Sequence, residues 1–273
     1  MSSTVLLSAT AVLGVLAGWA LTVPVHRYKE LRPMTPRDVG AEVGSTDAPP
    51  PLIRAEYREA RCPECHHVYR AADVVPVVSW WRGCPGCSTR PPATVVLLQV
   101  WVPVALVLTV ALLNGSWVAL PYVWMVVVVS AIAVIDLRIW LIPWWMPWVG
   151  AAVGVVLIAA VSLAIGAPQA VVWALAGAAG SFLLFFVLWL VAPGKLGFGD
   201  VRLVLLLGLF LGWLHPLYWV YGLLFGALIG IAMGVGSLLV HRESRFPFGP
   251  ALVLGALVAV WLHGPILASL GAG

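Results

Sequence analysis

Two aspartates and four cysteines are the residues of this 273-residue sequence whose types and spacing could support chemistry. From residue 93 onward the chain has only three acidic residues, Asp136, Asp200 and Glu243. Glu243 lies in the charged stretch HRESR and reads as a solvated loop residue. Asp136 and Asp200 adjoin long apolar stretches, where an ionisable group costs several kcal/mol unless it is paired, wetted or neutralised. Both aspartates are therefore candidate functional residues.

A pair of carboxyl groups about 3 Å apart cannot easily ionise twice, so one keeps its proton while the other accepts a proton from water. Such a pair predicts an aspartyl hydrolase in which Asp136 and Asp200 are the catalytic residues. Gly197 and Gly199 lack side chains and would let an extended peptide approach Asp200 closely. Pro143 is a second unusual backbone residue, placed after Asp136.

Each aspartate taken singly has a simpler interpretation. It could cap a helix and point to water, with a basic residue two positions away, Arg138 or Arg202, as a neutralising partner. The pair is harder to explain in this way, because both aspartates fall at helix ends beside Pro or Gly residues.

The four cysteines form two CxxC pairs separated by eighteen residues: Cys62, Cys65, Cys84 and Cys87. Two such turns suit a tetrahedral thiolate site, so we predict a structural Zn²⁺. A redox pair and unmetallated thiols are the alternatives. Because cysteine would fill all four positions, no position stays open for a substrate, and the metal would only fold a small domain.

The composition requires membrane helices to position these residues. Hydrophobic residues make up 62% of the chain and charged residues only 10%, which a soluble domain of this size could not bury. We predict an all-α polytopic membrane protein with about eight transmembrane helices and a small cytosolic zinc-knuckle domain between the first and second. The predicted spans are Val5–Val25, Thr94–Leu113, Trp117–Ile135, Trp144–Ile165, Gln169–Val191, Val201–Trp213, Pro216–Val240 and Pro250–Leu270.

The positive charges predict the orientation of these spans. All fifteen Lys and Arg residues lie in alternate connections, ten of them between the first two spans. Under the positive-inside rule, these connections are cytoplasmic and both termini face out. Asp136 and Asp200 then lie on the same, cytoplasmic side. The net charge of +4 is thus explained by topology, and we expect membrane lipids around the chain and no nucleic-acid partner.

Three regions follow from this organisation. Residues 1–26 are the first transmembrane anchor, 27–93 a cytosolic linker plus zinc-binding domain, and 94–273 a multi-span membrane domain. Residues 33–51 are rich in Pro, Gly and acidic residues and read as a flexible linker.

Four motifs in order resemble the type IV prepilin peptidases, which are GxGD-type intramembrane aspartyl proteases. GFGDVR, from Gly197, resembles the family's GxGD-[VI]-[KR] motif, and DLRIWLIP resembles its first aspartate followed by an Ile-Pro pair. FPFGP at 246–250 resembles the element that opens the family's last span. The segment 61–87 resembles the family's cytosolic zinc domain.

The resemblance implies a bacterial inner-membrane endopeptidase. It would cleave the short basic leader of type IV prepilins or pseudopilins on the cytoplasmic face, after a Gly and before a hydrophobic residue, often Phe. The family's first-span and post-zinc motifs differ here, with Thr22 in place of Asn and Val95 in place of Glu. The resemblance therefore implies S-adenosylmethionine as a cofactor only if N-methylation of the new N-terminus is retained. A polytopic transporter with a proton relay and a non-catalytic pilus or secretion assembly factor are the alternative functions.

Overall fold

The computed structural model describes residues 3–26, 60–62, 64–65, 67–192, 196–241 and 247–269. The regular secondary structure in these ranges is helical apart from one isolated bridge between Arg61 and Val68. The predicted linker at 33–51 lies outside the described residues. Eight of the described helices are apolar and at least 13 residues long: α1 (Ser3–His26), α3 (Ala93–Leu112), α4 (Ala119–Ile139), α5 (Trp145–Ala164), α6 (Gln169–Val191), α7 (Phe198–Leu214), α8 (Tyr218–His241) and α9 (Gly249–Trp261). Two short helices complete the set, α2 (Val78–Arg82) and α10 (His263–Ser269).

Six of the described helices, α1, α3, α4, α5, α6 and α8, are long and apolar enough to cross a membrane. Their bounds lie within a few residues of the predicted spans, and the bounds of α6 coincide with its prediction. The all-α membrane fold is confirmed. The count of eight rests on two further apolar helices, α7 and α9, which are shorter.

Helix α7 has 17 residues and spans about 26 Å, less than the roughly 30 Å of a bilayer core. It is the central helix and packs on α5, α6, α8 and α9, so that Val201, Leu203 and Val204 are fully buried. Since protein rather than lipid surrounds much of α7, its length need not match the hydrocarbon thickness.

The last predicted span is divided in two. It extends as α9 to Trp261, turns at Leu262 and continues as α10. Pro265 lacks the N–H that would bond to the carbonyl of Trp261 in a continuous helix, but it is tolerated in the first turn of a new helix. The predicted span Pro250–Leu270 therefore contains two helices separated by a turn.

Helices α6 and α7 make the most extensive helix pair of the fold, and small residues allow their close approach. A methyl group added at Gly208 of α7 would collide with Ser181 Oγ and the Gly177 carbonyl of α6. Ser181 Oγ also lies 2.8 Å from the carbonyl oxygen of Val204 across the interface. Small residues at helix contacts are typical of membrane proteins, where close packing replaces the hydrophobic effect.

The cysteine-containing segment from residue 60 to residue 92 rests on α1 and α3. Trp19 Nε1 of α1 donates a hydrogen bond to the Ala71 carbonyl at 2.8 Å. The small core of the cysteine-containing segment includes Ala60, Tyr69 and Val74. Trp19 and Val23 of α1 pack against this core. The segment is therefore attached to the membrane helices at the ends of α1 and α3 that adjoin it in sequence.

Candidate functional site

Asp136 lies in the last turn of α4 and is buried, with 5% of its surface exposed. The sequence placed it directly after the span, but α4 continues to Ile139, so the aspartate belongs to the helix. Its Oδ2 accepts a hydrogen bond from the backbone N–H of Gly249 at 3.0 Å. Gly249 is the first residue of α9, where backbone N–H groups have no partner inside their own helix. Asp136 therefore caps α9 rather than pointing to water from its own helix.

Gly249 is a site residue that the sequence analysis did not single out. A Cβ atom at this position would lie 2.6 Å from Asp136 Oδ2, too close for any side chain. The available signal was the FPFGP element, in which a Gly-Pro pair opens an apolar helix. Its contact with a carboxylate 113 residues earlier was not visible in the sequence.

Asp200 lies in the first turn of α7, within the helix rather than before it. Its backbone N–H donates to the Gly197 carbonyl at 3.1 Å, and its side chain is partly buried. A Cβ atom at Gly197 would stand 3.3 Å from Asp200 Oδ2, so the glycine leaves the space beside the carboxyl group free.

The structure brings the segments that carry the two aspartates together at one end of the bundle, where Ile142 lies against both Gly199 and Gly249. Ile142, in the connection after α4, packs between the segments that carry them. A Cβ atom added at Gly199 would lie 3.0 Å from the Cβ atom of Ile142. One added at Gly249 would lie 3.4 Å from the Cδ1 atom of Ile142. Pro143 follows Ile142 in this connection. The predicted GxGD and Ile-Pro motifs therefore meet at the site.

The two arginines near the aspartates have defined contacts of their own. Arg138 is buried, and its Nη1 donates to the Val25 carbonyl of α1 at 3.2 Å. The guanidinium carbon of Arg202 lies 4.7 Å from the ring centroid of Phe198, which is a cation–π geometry. Arg138 thereby links the end of α1 to the end of α4.

The four cysteines converge, with all Sγ atoms within 4.8 Å of one another. Cys62 and Cys87 have their sulfurs 3.7 Å apart, and Cys65 and Cys84 3.6 Å apart. Sulfurs at 2.3 Å from a tetrahedral Zn²⁺ would be separated by about 3.8 Å. The four residues therefore fit a zinc ion, and the metal-binding geometry predicted from the two CxxC pairs is present.

Without a bound cation, the thiols of this cluster differ in pKa. Burial raises the pKa of Cys62, but hydrogen bonds from the Cys65 backbone and the Tyr69 side chain outweigh it and bring that pKa down to about 6. The His67 backbone favours the thiolate of Cys65, yet burial and the neighbouring sulfurs raise its pKa to about 12. Four thiolates so close together call for a positive ion, as in Cys₄ zinc sites.

Thr22 and Val95, where the sequence departs from the family motifs, are both buried at the contact between α1 and α3 and the cysteine-containing segment. Gln99, one turn after Val95, donates from Nε2 to Thr22 Oγ1 at 3.0 Å and to the Val74 carbonyl at 3.0 Å. Its Oε1 accepts from Trp80 Nε1 at 2.6 Å. We call Thr22, Val74, Trp80 and Gln99 the Gln99 cluster. It joins α1 and α3 to the cysteine-containing segment.

Comparisons with known proteins agree with these features. Residues 122–235 match the model of the type IV leader peptidase family. The prepilin leader peptidase/N-methyltransferase of Aeromonas hydrophila is 32% identical over 277 residues, which cover 93% of this chain and 89% of that protein. The chain belongs to the type IV leader peptidase family. The protein of the same name from Burkholderia pseudomallei strain 1026b is 30% identical, with 97% and 88% covered, and that from Pseudomonas putida is 28% identical, with 96% and 93% covered. No solved structure matches the chain.

The region that matches the type IV leader peptidase family contains Asp136 and Asp200 and the glycines between them. Gly249 and the four cysteines lie outside it. The relatives, however, cover nearly the whole chain, including the cysteine-containing segment.

Proposed function

We propose that this type IV leader peptidase is a membrane aspartic endopeptidase that removes the basic leader of type IV prepilins or pseudopilins. The observation that carries the proposal is that Ile142 lies against both Gly199, next to Asp200, and Gly249, which is hydrogen-bonded to Asp136. The chain from residue 93 onward has only one other carboxylate, Glu243. The relatives named as prepilin leader peptidases supply the substrate class.

In the proposed mechanism, Asp136 is the general base. It faces the N-terminus of α9 and accepts the Gly249 hydrogen bond, an environment suited to a carboxylate. Asp200 carries the proton and donates it to the scissile carbonyl oxygen. Water loses a proton to Asp136 as its oxygen attacks the carbonyl carbon. Asp136 then returns the proton to the leaving amine, which breaks the C–N bond, and Asp200 regains its proton from the gem-diol.

The backbone around the dyad supports this use. Gly197 leaves space beside the Asp200 carboxyl group, and Gly199 lets Ile142 pack closely against the same turn. Pro143 follows Ile142 in the chain. A substrate backbone can therefore lie extended between the two carboxyl groups, which a helical peptide with its internally bonded carbonyls cannot do.

The proposed orientation sets the dyad at the cytoplasmic face of the bacterial inner membrane. Its support is the grouping of all fifteen Lys and Arg residues in alternate connections. The prepilin leader is basic, and it would stay in the cytosol by the same rule. We propose that residues 27–93 form the cytosolic part, residues 1–26 the anchor and residues 94–273 the membrane peptidase domain.

Cys62, Cys65, Cys84 and Cys87 are the proposed ligands of a Zn²⁺ ion. When bound, the metal crosslinks the cysteine-containing segment, which has too small an apolar core of its own. The proposed activity is limited to cleavage. The family motifs have an amide at the position of Thr22 and a carboxylate at the position of Val95, whereas here both residues are buried near the Gln99 cluster and offer neither group. Mass spectrometry of the mature pilin N-terminus shows whether a methyl group from S-adenosylmethionine is added.

Cleavage of a prepilin by membranes containing the protein tests the proposal. We expect Asp136→Asn and Asp200→Asn each to lower the cleavage rate by about 1,000-fold, because each removes one proton-transfer group. Asp47→Asn, in the predicted linker, is the matched control and should cleave at the wild-type rate.

Full activity of either dyad variant would refute the assigned chemistry. A proton-coupled transporter would give a different result, since wild-type protein in vesicles would then acidify or alkalinise the lumen without cleaving prepilin. An assembly factor would cleave nothing and would leave the two variants equivalent to wild type in pilus formation.

A further inference from the structure

A large cavity opens between α1, α4, α5 and the connection that carries Ile142. Its volume is about 820 Å³, within the range of sites that bind small organic ligands. Residues representative of its walls are Leu21, Val25, Val127, Ile135, Ile142 and Val149.

The walls of the cavity are apolar. Among the residues that the structure describes, none that lines the cavity carries an ionisable side chain. The indole N–H of Trp124, one of the lining residues, donates to the Gly150 carbonyl at 3.0 Å and is thereby satisfied within the wall. These walls offer a basic peptide no carboxylate as a partner. An apolar segment has no polar side chains that need a partner, so it can be buried here at no such cost.

The inner end of the cavity adjoins the proposed dyad. Ile135 lines it and is the residue before Asp136. Ile142 lines it as well, and the same side chain packs against Gly199 and near Gly249, the backbone positions beside both carboxyl groups. The Ile142 side chain is therefore shared by the cavity wall and by the site.

The outer end faces the lateral surface of the bundle. Leu141, Trp144 and Val149 line the cavity and are 51%, 67% and 46% exposed, respectively. These positions lie at the ends of two membrane helices, so the opening faces lipid. A transmembrane substrate can enter from the bilayer plane.

We propose that this cavity binds the apolar residues that directly follow the scissile bond of the substrate. The inference rests on the proposed function and adds the place where substrate side chains are held. The apolar walls fit this part of the substrate and not its basic leader, and the Ile142 side chain shared with the site fits residues next to the cut bond. A lipid acyl chain is the competing occupant.

A substitution that fills the cavity tests the proposal. Val127→Phe adds an aromatic ring to a wall residue, and Val123→Phe makes the same change one turn earlier on α4, at a partly buried position that does not line the cavity. Both variants and wild type are compared on prepilins with Phe, Leu or Ala after the scissile bond. We expect Val127→Phe to raise KM about tenfold or more for the Phe and Leu substrates and much less for the Ala substrate, with kcat little changed.

The Val123→Phe control should follow wild type on all three substrates. If Val127→Phe raises KM equally for the three substrates, or matches the control, the subsite assignment is wrong while cleavage by the dyad stands. If wild type cleaves none of the prepilins, the proposed function itself fails, and the inference falls with it.

A photo-crosslinker distinguishes the substrate from a lipid and does not depend on the folding of Val127→Phe. p-Benzoylphenylalanine at Val149, an exposed wall position, should crosslink to prepilin, and the same residue at Val153, one turn away and outside the wall, should not. Crosslinking of Val149 to phospholipid alone, undiminished by excess prepilin, would overturn the proposal.

Discussion

Gly249 holds the buried carboxylate of the proposed dyad through its backbone. The N–H group of this residue meets Asp136 Oδ2 at 3.0 Å, and the absence of a side chain makes that approach feasible. The interaction satisfies both an otherwise unpaired helix N–H and a buried carboxylate, groups that are each costly to leave without a partner. Residue 249 therefore helps to set the geometry of the proposed dyad through its backbone alone.

Gly249→Ala should impair cleavage without preventing membrane insertion. The added methyl would stand 2.6 Å from Asp136 Oδ2, so the carboxyl group or the start of α9 has to shift. A displacement of about 1 Å in a catalytic group lowers rates by about 100-fold, and we expect a loss of this order in kcat. Cleavage of prepilin in membranes measures it.

The matched control is Gly236→Ala in α8, where a Cβ atom would meet nothing within 4 Å. This variant should cleave at the wild-type rate. Equal activity of the two variants would show that the approach of α9 to Asp136 does not set the reaction geometry.

The two aspartates could be recognised from the sequence because carboxylates are so rare after residue 93. Their placement within the first or last turn of a helix could not, since hydropathy does not define helix ends to one residue. The roles of Gly249 and Ile142 could not be predicted from their motifs for a different reason. Their roles depend on contacts between segments far apart in the chain.

At the level of helices and small domains, the Gln99 cluster is the connection between the cysteine-containing segment and the membrane. One amide from α3 bonds to α1, to the Val74 carbonyl and to the indole of Trp80. Three partners for one buried side chain fix its rotamer and satisfy groups that water cannot reach. Gln99 thus helps to fix the orientation of the segment on the helices, together with the hydrogen bond from Trp19 to Ala71.

Gln99→Leu should loosen this attachment while the helices stay inserted. The exchange leaves a buried carbonyl and a buried indole N–H without their partner, which destabilises the contact by about 1–3 kcal/mol. We expect faster proteolysis between residues 60 and 92 in detergent-solubilised protein. Gln169→Leu, at an exposed position at the start of α6, is the control and should leave the proteolysis rate unchanged.

Loss of one proposed zinc ligand should unfold the cysteine-containing segment. Because four sulfurs share one site, Cys84→Ser should reduce the zinc content from about one ion per chain to near zero. Elemental analysis of purified protein measures the metal, and proteolysis of the segment reports its folding. Ser88→Ala, close to the knuckle but outside the sulfur cluster, should retain the metal. A wild-type protein without zinc would contradict the assignment.

Most of the helices followed from the sequence because long apolar stretches have few other stable forms in a membrane. The last span was the exception, since its apolar composition concealed the effect of Pro265 on the hydrogen bonds of the helix. The short α7 was anticipated as a stretch of doubtful length, and its central position in the bundle explains how it can remain short.

Across the whole molecule, the residues that could react or bind a metal lie at one end of the bundle. The end of α1 bonds to Arg138, the cysteine-containing segment rests on α1 and α3, and both aspartates lie at helix ends. The opposite end includes the turns after α3 and α5. Such polarity is the pattern expected of an enzyme whose reaction takes place at one face of a membrane.

The orientation of the molecule can be tested with added cysteines and a membrane-impermeant maleimide in intact cells, with the labelling of the four native cysteines as the baseline. Ser116→Cys, in the turn after α3, should be labelled from outside, because that connection contains no Lys or Arg. Ala72→Cys, an exposed position in the cysteine-containing segment, should react only after the membrane is permeabilised. The reverse pattern would place the dyad on the other face.

The hydrogen bond between Asp136 and Gly249 also bears on how the protein is made. These partners are separated by 113 residues, and the ribosome synthesises Asp136 and Asp200 well before Gly249. A nascent chain that has inserted α4 and α7 holds both carboxyl groups but not the backbone N–H that orients one of them. The proposed site is therefore completed only when α9 joins the bundle, and we expect an unfinished chain to leave the other membrane proteins emerging beside it uncleaved.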